Sequence, residues 1–234
     1  MNVFKDLVNF WRQEDLLSQA WQESFDMLDC SREMFIEAIT ILRQDSKRKT
    51  VIELKKRDQK INEYQKNVRR KVMTHFALQK ENKNLSSGMV LVNMVIDIER
   101  LGDYTKNILD LAIYHPEKLI AEEISPELRK IEKKILKRFK NTVLAIKNQD
   151  AEKAYALQKT YNNQVNEASD ELVNSILAGK LKFGDETQTA TIVLYARYLK
   201  RIGAHLKNIT SVLINPVDTI GYKAKEPKLD DTLD

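Results

Sequence analysis

The stretch Ile98-Glu99-Arg100-Leu101-Gly102-Asp103-Tyr104-Thr105-Lys106-Asn107-Ile108 comes back without gaps as Leu199-Lys200-Arg201-Ile202-Gly203-Ala204-His205-Leu206-Lys207-Asn208-Ile209. Arg, Gly, Lys, Asn and Ile are identical at matching places, and the apolar positions keep their character. Around both copies the stripe continues. Leu91, Met94, Ile98, Leu101, Thr105, Ile108 and Ala112 share their 3,4,3,4 spacing with Ile192, Tyr195, Leu199, Ile202, Leu206, Ile209 and Leu213. Such spacing keeps one face of an α-helix apolar, so each copy has a stripe to bury against other helices. A long self-similar segment fixes the architecture before any local reading. It predicts two similar helical units, duplicated and packed together.

The helix preceding each copy repeats as well. Asp58-Gln59-Lys60-Ile61-Asn62-Glu63 lines up with Asn162-Asn163-Gln164-Val165-Asn166-Glu167. Six long helices are expected in two sets of three: Glu14 to Gln44, Thr50 to Leu78 and Met89 to Tyr114, then Pro126 to Asn148, Asp150 to Gly179, and Asp185 to just before Pro216. Ser125-Pro126-Glu127 places Pro at a first helical position, and Asp185 with Gln188 has capping-box spacing. Residues 1–115 are thus expected to form a first three-helix repeat with an N-terminal extension that includes a short extra helix. Residues 116–216 form the second repeat, and 217–234 an irregular tail. The fold class is all-α, and whether the helices form two three-helix bundles or one six-helix bundle stays open.

Composition agrees. Four prolines and six glycines in 234 residues are too few for the many turns of a β or α/β protein. The single cysteine, Cys30, excludes an internal disulfide and reads as a small core or helix-face residue rather than a nucleophile. Met1 leads into charged residues without an apolar leader, and no stretch approaches the roughly 20 apolar residues of a membrane span. A soluble, cytoplasmic protein is expected. The net charge is +5, with basic runs at Lys47–Lys71 and Arg129–Lys140. Acids interrupt both runs, which therefore read as solvated helix faces rather than as a nucleic-acid surface. They leave room for an acidic partner or the inner face of an anionic membrane.

Glu99 and Asp103 lie four apart on one helix face, as do Asp58 and Asn62 on the preceding helix. Should the two faces meet, they form an all-oxygen cluster of the kind that takes Mg²⁺, Ca²⁺, Mn²⁺ or iron. The competing reading is a surface acidic pair answered by a neighbour such as Lys106. In the second copy Asn162, Asn166, Lys200 and Ala204 hold the four places, leaving no carboxylate, so at most one cation is expected, and on the first repeat. Gly102 and Gly203 stand mid-helix, where glycine costs about 1 kcal/mol relative to alanine; close approach of a neighbouring helix is the expected reason. Arg100 and Arg201 read as structural ion-pair formers. His75, His115 and His205 lack a Glu at i−3, so the ligand pairs of di-iron bundle enzymes are missing. No Gly-rich phosphate loop or nucleophile elbow is present.

Glu99-Arg100-Leu101-Gly102-Asp103-Tyr104 with Asn107-Ile108 resembles the helix-three signature of the PhoU family. Arg201-Ile202-Gly203, His205 and Asn208-Ile209 match it a second time, and the resemblance covers roughly residues 14–215. It implies a PhoU-like six-helix bundle, a carboxylate-held divalent or trivalent cation at Asp58, Asn62, Glu99 and Asp103, and a non-enzymatic regulator of phosphate transport or signalling. The implied partners are a phosphate transporter component or a phosphate-sensing kinase, with membrane-peripheral association and a homodimer both open. The alternatives are a helical metalloenzyme built on the first-repeat carboxylates and nucleic-acid binding through the basic faces.

Overall fold

A computed structural model describes residues 15–44, 48–78, 84–115, 119 and 126–222. The expected extra helix in the first dozen residues and the end of the tail beyond Tyr222 lie outside them. Seven α-helices and no strand occur among the described residues. They are α1 (Leu16–Arg43), α2 (Arg48–Leu78), α3 (Leu85–Tyr114), α4 (Pro126–Asn148), α5 (Ala151–Tyr161), α6 (Glu167–Leu177) and α7 (Glu186–Ser211). Helices α5 and α6 are one rod, joined by a π-helical turn at Asn162–Asn166, and correspond to the single fifth helix expected from sequence.

The caps are chemical stops and starts. Asp15 accepts from the Leu17 and Ser18 amides, Asp150 from Lys153, and Asp185 from Gln188, each satisfying amides that have no partner within the helix. Two boundaries differ from expectation by about a turn: α7 ends at Ser211 rather than just before Pro216, and α3 differs at its start. α3 begins at Leu85, not Met89, and so absorbs Gly88 into its first turn. Tight packing explains it: a β-carbon on Gly88 would stand 2.4 Å from the Phe76 ring of α2, so the two helices touch there through a bare backbone. The expected irregular tail is also partly ordered, since Val217–Thr219 is a 3₁₀ turn and the Gly221 amide donates to Ser211 Oγ at 2.7 Å.

α1 packs against α2 and α3, while α4, the α5–α6 rod and α7 form the corresponding second set. The two sets share one continuous core. α3 lies along α7, and α1 meets α4, where the Phe35 and Phe139 rings are 5.6 Å apart. That settles the open alternative in favour of a single bundle, because the stripes of α3 and α7 bury against each other as well as against their own partners. Gly102 and Gly203 both mark close approaches, as expected. A β-carbon on Gly102 would meet Asp58 Oδ1 at 3.0 Å and Ile61 at 3.1 Å. One on Gly203 would meet Ile135 at 2.8 Å and both Tyr161 and Val165 at 3.1 Å.

Part of the basic run on α4 is not solvated. Arg138 is buried, donates to the Leu157 carbonyl at 2.6 Å and to Thr160 Oγ1 at 3.1 Å, and stands over the Tyr161 ring. Burial pulls its pKa down to about 10. It joins α4 to the rod just before the π-turn, an inter-helix role that a one-dimensional charge pattern conceals.

Candidate functional site

The α2–α3 contact assembles the acidic face in the first repeat. Asp58 is buried, and Asn62 Nδ2 donates to its Oδ2 at 3.0 Å. Lys106 Nζ donates to the same oxygen at 2.7 Å and pairs with Asp103 Oδ1 at 2.9 Å. Arg100, exposed on the outer side, donates to Asp103 Oδ2 at 2.9 Å and stands 3.6 Å from Glu99 Oε2. All four residues named from sequence thus share one face, with two cations set among them.

The electrostatics follow from that arrangement. Burial raises the Glu99 pKa first, and Asp103 and Asp58 add to the shift against the opposing pull of Arg100 and Lys106. For Lys106 burial works downward, but its hydrogen bonds and charge contacts with Asp58 and Asp103 win and hold it above its ordinary value. Asp58 Oδ1, pressed toward the Gly102 backbone, has no hydrogen-bond partner among the described residues. With Lys106 seated between Asp58 and Asp103, the face is an ion-pair network. Among the described residues no three Asp, Glu, His or Cys side chains stand together as a metal-ligand set.

In the second repeat the same positions hold a different structure. Asn162 and Asn166 open and close the π-helical turn, and Ala204 is half-buried. Lys200 Nζ turns to Asp170 of α6, reaching its two oxygens at 2.7 and 2.6 Å, with Arg197 on the same carboxylate at 2.9 Å. Lys200 is therefore an ion-pair partner within its own repeat. Arg201 is exposed.

The remaining motif residues lie at the seam between repeats. Asn208 Nδ2 donates to Asp97 Oδ1 at 3.0 Å, and His205 Nδ1 sits 2.7 Å from the same oxygen. The His205 ring stacks on Tyr104, their centroids 5.6 Å apart. Asn107 instead lines an open groove of about 580 Å³ between α3 and α7, with Asp110, Tyr114, Leu194 and Tyr198. Because α3 and α7 run antiparallel, the matched Asn107 and Asn208 sit at opposite ends of the seam. Sequence reasoning missed Asp97. It also missed a buried triad in which Arg43 of α1 and Tyr195 of α7 both bond Glu132 of α4, Arg43 at 2.5 Å. Burial and then Glu132 push the Tyr195 hydroxyl well above its usual range, so it remains a proton donor at neutral pH. Nothing in the pattern around Glu132 marks it, since it sits in a charged run that reads as surface.

Comparison with known proteins matches the same two units. The family model described as the PhoU domain matches residues 25–112 and again 128–213. The chain is 24% identical over 212 residues to the phosphate-specific transport system accessory protein PhoU homolog 1 of Thermotoga maritima, covering 89% of each chain. Its fold resembles the phosphate transport system regulatory protein PhoU of Streptococcus pneumoniae, with TM-score 0.69 and 17% identity over 89% of this chain and 97% of that one. PhoU of Pseudomonas aeruginosa is similar at TM-score 0.58 and 23% identity, over 85% and 92% of the two chains.

Proposed function

This chain belongs to the PhoU family, and on that premise we propose that it regulates phosphate transport by binding protein partners rather than by catalysis. The observation that carries the reading is the family match to both repeats, at residues 25–112 and 128–213. The relatives' description as accessory and regulatory proteins of phosphate transport supports a transporter component as the partner class. A phosphate-sensing kinase is the second candidate. The site of action is the cytoplasm, beside the membrane that holds the transporter. The test pairs phosphate uptake in a strain lacking this chain with calorimetric binding of the purified chain to purified transporter components. Misregulated uptake restored by the chain, with saturable binding, is expected. Normal uptake in the deletion strain together with no binding overturns the reading.

A cation on the α2–α3 face is the second element, favoured by the unpartnered Asp58 Oδ1 and by the strained ionisation of Glu99. As the side chains stand, Lys106 holds that position, so a hard cation binds only by displacing it. Asp58, Glu99 and Asp103 would then supply carboxylate oxygens and Asn62 an amide oxygen, a set suited to Mg²⁺, Ca²⁺, Mn²⁺ or iron. Elemental analysis of purified wild type and Glu99→Ala with Asp103→Ala decides it. Equal metal content in the two would show that the face carries ordinary ion pairs.

A further inference from the structure

A second groove, of about 430 Å³, opens on the other flank of Tyr114, between the start of α2 and the end of α3. Arg48, Ile52, Lys55 and Gln59 line it from α2, spaced 4,3,4 so that they share one face, with Lys56 beside them. Asp110, Ile113 and Tyr114 line it from α3. Its carboxylates are already answered: Asp110 pairs with Lys55, and Asp58 holds Lys106 at 2.7 Å. Arg48 and Lys56, both exposed, have no carboxylate partner among the described residues. Beside these two spare charges the wall is apolar and open, with Ile52 42% and Tyr114 77% exposed. Exposed lysines are ordinary, but a ring this open in a concave, cation-lined site is not. The feature belongs to the first repeat alone. In the second, Asn215 holds the place of Tyr114, buried and donating to the Thr219 and Tyr222 carbonyls at 2.8 and 3.0 Å.

We propose that this groove binds a nucleotide carrying two or three phosphates, with the base laid on Tyr114 and Ile52 and the phosphates on Arg48 and Lys56. Charge selects this groove over its neighbour. The α3–α7 groove shares Tyr114 and Asp110 but carries Glu186 and, among its described lining residues, no Lys or Arg. An anion with an aromatic body is therefore drawn to the α2 side. Two features favour a nucleotide over a bare oxyanion. The spare cations are eight residues apart, about 12 Å along α2, so a single small ion meets one of them whereas a chain of phosphates extends toward both. The guanidinium of Arg48 adds a fork of donors that matches phosphate oxygens in pairs. The open Tyr114 ring in turn offers a stacking face that any base can use, and Gln59 brings an amide donor and acceptor for the sugar or the base edge. The volume lies within the roughly 300–1,000 Å³ of small-ligand sites.

The proposal does not rest on the reading of a phosphate-transport regulator, and its test contains no transporter, so its failure would leave that reading standing. The full chain is titrated calorimetrically with ATP, with inorganic tripolyphosphate and with adenosine. A chelator is present throughout, so that no metal on the neighbouring acidic face bridges to the phosphates. Saturable binding of ATP is expected, with tripolyphosphate and adenosine each weaker by about tenfold or more, because each keeps only one half of the contacts. Tyr114→Ala should weaken ATP binding by about tenfold, and Tyr114→Phe, which keeps the stacking face, should retain it. Arg48→Gln with Lys56→Gln should weaken it by at least about tenfold. Lys159→Gln, an exposed lysine of α5, should change nothing. Arg48, Lys56 and Tyr114 are all exposed, and circular dichroism confirms that the helices remain. No saturable binding of ATP overturns the proposal, as does wild-type affinity in Tyr114→Ala or in the double variant. Tripolyphosphate bound as tightly as ATP also overturns it, since the lysines and arginine would then be a general polyanion surface.

Discussion

Replacing Lys106 by methionine removes one ammonium while keeping most of the side chain's volume. In the native face that ammonium bridges Asp58 and Asp103 at 2.7 and 2.9 Å. The Asp58 side chain is 8% exposed and that of Lys106 28%. The pair therefore lies between an exposed pair, worth about 0–1 kcal/mol, and a buried one, whose breaking costs about 3–5 kcal/mol. An intermediate loss of about 2 kcal/mol at pH 7 is expected, or roughly 4–8 °C in Tm for a chain of this size. The assay is thermal and urea unfolding of wild type, Lys106→Met, Asp58→Asn and the double variant. In the Asp58→Asn background the loss should shrink by half or more, because an amide has no charge for Lys106 to neutralise. Added Mn²⁺ should restore part of the stability of Lys106→Met and none in the double variant, since a cation would then take the place Lys106 leaves between the Asp58 and Asp103 carboxylates. An unchanged midpoint for Lys106→Met, or the same loss with and without the Asp58 carboxylate, refutes the reasoning.

The raised pKa of Lys106 means that its contribution is complete below 10.5, its ordinary value, and is lost as pH rises through the higher folded value; an alkaline titration of Tm should show that fall in wild type and less of it in Asp58→Asn. Glu99, also raised, has the ionised form disfavoured in the fold, so its stabilisation is present below 4.5 and lost as pH rises through the folded value. Glu99→Gln should accordingly raise Tm at pH 7 and have no such benefit below pH 4.5. Gly203→Ala gains about 1 kcal/mol of helix propensity but drives a methyl to 2.8 Å from Ile135, so overpacking of about 1–3 kcal/mol should leave a net loss in urea unfolding. Arg43→Met should cost about 3–5 kcal/mol by leaving the buried Glu132 with Tyr195 alone, and adding Glu132→Gln should return most of it.

The amino-acid pattern by itself determined the helices and their duplication. The 3,4,3,4 stripes of α3 and α7, the caps Asp15, Asp150 and Asp185, and the proline at 126 act through neighbours within one or two turns, and such local chemistry is written linearly. The glycines were legible too, because a mid-helix glycine has few explanations other than a close neighbour. The start of α3 was not, since Gly88 looks like a loop residue until Phe76 of another helix is laid against it.

What the charged residues do was decided only by packing. The carboxylates Glu99 and Asp103 could be named from their spacing, but whether Lys106 or a cation answers them depends on where α2 places Asp58. Lys200 was legible only as a place without a carboxylate until α6 brought Asp170 to it. Glu132 and Arg138 sit in sequence among residues that look solvated, and Asp97 is a lone acid in an apolar stretch with nothing nearby to name its partner. Their partners are Arg43 and Tyr195, the rod's carbonyls, and His205 with Asn208, many residues away along the chain. A helix records in its own sequence which face is apolar, because burial depends on composition. It does not record which distant charge will stand opposite each of its own, because that is set by the angle and register at which whole helices meet.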